Sequence, residues 1–335
     1  MAREMEFDLL NLQGNVVSKD LSNYTSMLYA PAKFGKTTFA VNMFGEKGLI
    51  LAWEIGYKGI KGAMAVPMRR WSDCAKLTRQ LKDEKVKEKF NVLIIDTMDL
   101  MYEAALAQIL AKNEVDSINK IGFGQGYTQL DNLIKNQLLE WQRLGYSIFV
   151  ISHSINREEE VMMADGTKET IEKYVPTLNK RCFNLVNKFV DNIFFGNILM
   201  DNEGKEQRVL FTRETINYKA GSRFQYLPDR LPLDSDKVNE AIEEALRKED
   251  DSEVEVENVQ MFVENEKTFE EVKEELTTYV MDKFYPNDKM NEVTKVVESV
   301  LGIGCTVNDA TEMQKDSLEM ILIKLMDRAE ELNLK

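Results

Sequence analysis

The chain has 335 residues, 44% of them apolar, with a formal net charge of -14 at pH 7 and one histidine among three scattered cysteines. That length and apolar content suit a full α/β core with a smaller appended domain, and the Cys74, Cys182, Cys305 and His153 set offers neither a disulfide framework nor a zinc spacing. No apolar run approaches the ~20 residues of a bilayer span and the start lacks the order of a signal peptide, so a cytosolic protein in a reducing compartment is expected.

The charge is uneven. Residues 1–233 carry 31 Lys and Arg against 29 Asp and Glu, while residues 234–335 carry 12 against 28, so the front is +2 and the tail -16. The acid is separable from local basic clusters such as Arg69-Arg70 and Lys82 to Lys89. Net charge therefore does not exclude a nucleic-acid partner for the front part.

In chain order, SMLYA, GLILAWE, NVLIID, SIFVIS, DNIFFGNILM and QRVLFT are β-rich runs alternating with helical patterns. Their alternation predicts a mostly parallel sheet covered by helices on both faces, with an antiparallel pair around the DNEGKE turn. The polar stretch 155–173 predicts an insertion or hairpin. The domain expectation is an N-terminal segment 1–21, a core 22–246, an acidic linker 247–267 and a helical domain 268–335. In that last part Thr268 and Glu271 form a capping box, a second helix is expected from about Lys289 to Leu301, and a third through Leu318, Ile321, Leu322, Leu325 and Leu332.

The first strand runs into YAPAKFGKTTFA. Gly35, Lys36 and Thr37 satisfy the end of a phosphate-binding loop, but Ala30 stands where the first glycine is usual. A strand, a loop and a helix opening at Gly-Lys-Thr supply the context this chemistry needs, because backbone N–H groups and the helix dipole together favour a phosphate. The expected nucleotide-binding set is Ala30, Pro31, Ala32, Lys33, Phe34, Gly35, Lys36, Thr37 and Thr38. Lys36 would bridge the β- and γ-phosphates of ATP and Thr37 would ligate Mg²⁺. Ala30 is tolerable if its torsions are ordinary β values.

Three further polar residues fall at the ends of later strands. Asp96, delivered by Val92 to Ile95, would hold Mg²⁺ through a water. Glu54 follows the strand after the loop's helix and would orient the attacking water, and His153 follows the fourth strand and would sense the γ-phosphate.

This order of loop, Glu, Asp and His resembles a RecA-like P-loop NTPase core. WEIGYKG, NVLIIDTMDLMYE, IGFGQGY, VISHS and YKAGSRFQYLP are similar to phage-encoded RecA-like ATPases of the single-strand annealing recombinase type, over about Ser22 to Asp234. The resemblance implies an α/β core, binding of ATP, Mg²⁺ and single-stranded DNA, and annealing or strand exchange. It also implies a homo-oligomer, helped by a single-strand binding protein in the host cytoplasm. Lys219 and Arg223 fall where the family places cations that complete a neighbour's ATP site. Candidate DNA contacts are Lys120, Arg157, Lys168, Lys173, Lys180 and Arg181. The competing expectation is an ATP-dependent loader or remodeller of a replication protein, with the helical domain as its docking module.

Overall fold

The computed structural model describes residues 17–162, 166–249 and 267–334. The chain divides into two units, 1–263 and 264–335. The elements of the first, in order, are β1 (Ser26–Ala30), α1 (Lys36–Phe44), β2 (Gly48–Ala52), β3 (Ala65–Pro67), α2 (Ser72–Leu81), α3 (Glu84–Lys89), β4 (Val92–Asp96), α4 (Met98–Lys112) and α5 (Gln125–Arg143). They continue with β5 (Ser147–Met162), β6 (Lys168–Pro176), α6 (Lys180–Phe189), β7 (Asn192–Met200), β8 (Glu206–Phe211), β9 (Gly221–Ser222), β10 (Arg230–Pro232) and α7 (Ser235–Glu249).

The main sheet runs β10-β8-β7-β1-β5-β4-β2-β3, with β7, β1, β5, β4, β2 and β3 parallel and β8 and β10 antiparallel at one edge. Buried parallel strands read as apolar runs, and their alternate residues face opposite layers. Met27, Tyr29, Leu49, Leu51, Leu93 and Ile95 enter the core layer that contains Trp141 and Leu138 of α5 and Met101 of α4. Leu28, Ala30, Ile50, Ala52, Val92 and Ile94 enter the opposite layer, with Phe39 of α1 and Val238 and Ile242 of α7. Trp141 is fully buried, and its indole N–H donates to Thr78 Oγ1 of α2 at 2.9 Å, so the burial leaves no orphaned donor there.

The expected α/β core with a mostly parallel sheet and a small helical C-terminal part is the architecture the chain adopts. Several boundaries differ from the sequence expectation. Strand β2 stops at Ala52, two residues before Glu54. Strand β5 does not end at His153 but runs on to Met162, because it leaves the main sheet there and pairs antiparallel with β6 from Ser154 onward. The polar stretch is thus a hairpin. Helix α7 continues through residues 247–249, into the expected linker, whose residues 250–266 lie outside the described residues, as do 1–16 of the N-terminal segment.

In the second unit, α8 (Phe269–Lys283) starts at the Thr268–Glu271 capping box, followed by α9 (Met290–Leu301) and α10 (Lys315–Glu331). Val272, Leu276, Val280, Val293, Val297, Leu318, Ile321 and Leu325 share one core. Arg328 of α10 donates to Glu292 of α9 through Nε and Nη2, at 3.0 and 2.9 Å. No helix among the described residues is long and apolar enough to cross a membrane.

Candidate nucleotide site

The carboxyl ends of the parallel strands come to one edge, where ligands of open α/β sheets bind. In register, Ala30 pairs with His153, Ala52 with Asp96, and Asp96 with Ile151. The loop 30–37 rises from β1 between them and opens α1.

Positive φ falls at Lys33 (61°) and Gly35 (107°), not at Ala30, which is the last residue of β1 and fully buried. The first-glycine position therefore needs no left-handed torsion here. It needs room, and Gly196 of β7 provides it: a Cβ on Gly196 would lie 2.8 Å from the Ala30 Cβ and 2.4 Å from Phe34 Cε1.

Lys36 is buried and folds back over its own loop. Its Nζ donates to the carbonyls of Ala30 and Pro31, both at 3.0 Å, and lies 3.2 Å from His153 Nδ1. An ammonium can only donate, so Nδ1 accepts and Nε2–H faces Glu54 Oε2 at 3.4 Å. A relay Lys36–His153–Glu54 results. Glu54 is held in place through the backbone, since the N–H groups of Trp53 and Glu54 both donate to the Asp96 carbonyl, at 2.8 and 3.0 Å.

Asp96 Oδ2 accepts from Thr37 Oγ1 at 2.8 Å. Burial raises the Asp96 carboxyl above its ordinary value, with the Thr37 bond and Lys36 opposing. Burial likewise pushes the Lys36 ammonium down, against the pull of Asp96, Glu54 and Asp99. A hydroxyl beside a carboxylate is an oxygen donor set suited to Mg²⁺. Desolvated, opposite charges gathered at one strand edge are the mark of a functional site.

A second acid escaped the sequence reading. Asp99, in the first turn of α4, accepts from Ser152 Oγ at 2.8 Å and from Thr177 Oγ1, while Thr177 N–H donates to the His153 carbonyl at 2.9 Å. This triangle fixes the point at which β5 leaves the sheet. The DTMD spacing, with its second acid three residues after Asp96, was the available signal.

The structure gathers Lys36, Thr37, Asp96, Glu54 and His153, but not Lys219 or Arg223. Lys219 Nζ is paired with Glu214, and Arg223 Nη1 with Asp191 at 3.0 Å. Asp191 also accepts from the Thr25 N–H, which puts Arg223 at the amino ends of β1 and β7, the opposite edge of the sheet from the loop. One expected DNA contact is overturned. Lys173 is buried and ion-paired to Glu214 at 3.3 Å, because it turns inward at the base of the hairpin. Lys120, Lys168 and Arg181 are engaged by Asp116, Glu160 and Asp131. Arg157, Lys180 and Lys219 line a cavity of about 360 Å³ between the hairpin and α6.

No curated protein matches the chain. Among solved structures, a KaiC-like protein of the hyperthermophilic archaeon Pyrococcus horikoshii OT3 is similar with a TM-score of 0.35 and 10% sequence identity, over 63% of this chain and 85% of that one. A family model described as an AAA domain matches residues 22–224, the stretch that holds the loop, both strand-end acids and His153, and the chain belongs to that family of P-loop ATPases.

Proposed function

We propose that the protein is a Mg²⁺-dependent ATPase of the cytosol that acts on single-stranded DNA, in the manner of an annealing recombinase. The observation that carries the ATPase half is the convergence of Lys36, Thr37, Asp96, Glu54 and His153 on one strand edge. On nucleotide entry, Lys36 exchanges the two loop carbonyls for β- and γ-phosphate oxygens, and the loop's N–H groups take the rest of the polyphosphate. Thr37 would hold Mg²⁺ directly and Asp96 through a water. An ion held there would neutralise charge on the phosphate oxygens.

Glu54 is exposed enough to receive a water and is clamped through its backbone, as a water-orienting carboxylate must be. His153 touches both Lys36 and Glu54, so loss of the γ-phosphate changes its partners. His153 is also the residue at which β5 passes into the hairpin bearing Arg157. This gives the phosphate a mechanical path to the hairpin.

The DNA half is supported by Arg157 and Lys180 at the cavity between the hairpin and α6, and by Phe123, which is wholly exposed on a loop with positive φ at Phe123 and Gly124. An exposed ring suits stacking of a base, and free cations suit phosphate contact with a single strand. The experiment is phosphate release with and without single-stranded DNA, alongside anisotropy of a labelled strand. Hydrolysis with binding supports the reading. Hydrolysis with no strand binding would point instead to a loader or remodeller of a protein partner.

A further inference from the structure

Arg208 lies on β8, exposed, with Ile198 of β7 as its cross-strand partner. Its carbonyl accepts the Leu233 N–H at 3.1 Å, which joins β8 to the end of β10. Both side chains reach the phosphate loop: a Cβ on Gly35 would meet Arg208 Nη1 and Leu233 Cδ2, each at 3.5 Å. Lys219, Arg223, Lys173 and Arg181 are each paired with a carboxylate. No acid among the described residues pairs with Arg208, so an unspent guanidinium stands beside the loop.

Its side of the loop is informative. The sheet order puts β7 and β8 on one flank of β1 and β5 and β4 on the other. Lys36, His153, Glu54 and Asp96 belong to the β5 and β4 flank, and that is where the terminal phosphates lie in the reading above. A nucleotide lying across the loop then leads its nucleoside end to the opposite flank. We propose that Arg208, with Leu233 beside it, seats the nucleoside end of a bound nucleoside di- or triphosphate. The planar guanidinium donates to acceptor atoms of the base or stacks on its face, and the Leu233 methyl groups contact the ring. This inference rests on the nucleotide-binding reading.

The test compares two probes on the full chain with Mg²⁺: ADP, which has a nucleoside end, and inorganic tripolyphosphate, which has none. Calorimetry of Arg208→Ala should show ADP affinity reduced by about 10- to 100-fold, the worth of a charge-assisted hydrogen bond. Tripolyphosphate affinity should stay within about threefold of wild type, since only a screened surface charge is lost. Arg208→Lys should recover part of the ADP affinity, because a point charge replaces the fork without its plane. Unchanged ADP affinity in Arg208→Ala, or an equal loss for both probes, would overturn the assignment. If the wild-type chain bound neither probe, the nucleotide reading itself would fall. As Arg208 is exposed, both variants should melt with wild type in the absence of ligand, and a lowered melting point with ADP affinity retained would make it a structural residue.

Discussion

Gly196 of β7 lies against Ala30 of the phosphate loop so closely that a methyl group on the glycine would overlap both Ala30 and the ring of Phe34. The absent first glycine of the loop is offset by a glycine more than 160 residues away in sequence, on the neighbouring strand β7. Overpacking of this kind costs about 1–3 kcal/mol. Gly196→Ala should therefore lower the melting temperature and weaken ATP binding together, whereas Ala30→Gly, at a position with β torsions, should leave ATP affinity nearly unchanged. Thermal melts with and without ATP check both.

Asp96 costs the ligand-free protein stability. Its folded-state value is raised by burial, so between the ordinary carboxylate value and the raised one the folded chain holds more protons than the unfolded chain, and stability falls as pH rises through that window. Asp96→Asn removes the penalty. Without nucleotide or metal, its melting temperature should exceed wild type by on the order of 2–4 °C at pH 8, with the gain shrinking toward pH 4. Melting curves at several pH values measure it, and a variant less stable at pH 8 would show that the Thr37 and Lys36 contacts outweigh desolvation.

Glu54→Gln should keep nucleotide affinity, since the backbone bonds to the Asp96 carbonyl are untouched. Its turnover should fall by about 10²–10⁴, the usual worth of a positioned base. Phosphate release at saturating ATP gives the number, and wild-type turnover would remove Glu54 from the mechanism.

Arg223 must break its bond to Asp191 to serve a neighbouring subunit. If it does so, mixing Arg223→Ala with Lys36→Ala should restore ATPase activity above the sum of the two alone, because one interface then carries both intact halves. No recovery despite verified co-assembly would leave Arg223 as a sheet-edge ion pair.

The parallel strands were legible because they are buried on both faces, and Val92 to Ile95 shows no solvent-facing alternation to confuse the reading. Lys36, Thr37 and Asp96 were legible because their chemistry is local to a strand end. Strand β3 was not, with two half-exposed residues and an exposed proline at a sheet edge, nor was the course of β5 past His153, where apolar patterning stops although the strand continues. Arg208 and Gly196 were hidden for a different reason. Each acts on the loop from more than 160 residues away in sequence, and neither belongs to a pattern of spacing; only the order of β8, β7 and β1 in the sheet brings them to it.

The central claim is that this loop, without its first glycine, binds the polyphosphate of ATP through Lys36. Calorimetric titration of ATP with Mg²⁺ into wild type and Lys36→Ala tests it most directly. The account predicts saturable binding by wild type and a loss of about 100-fold or more in the variant, in keeping with the removal of a buried charged partner. Equal affinity in the two proteins would contradict it.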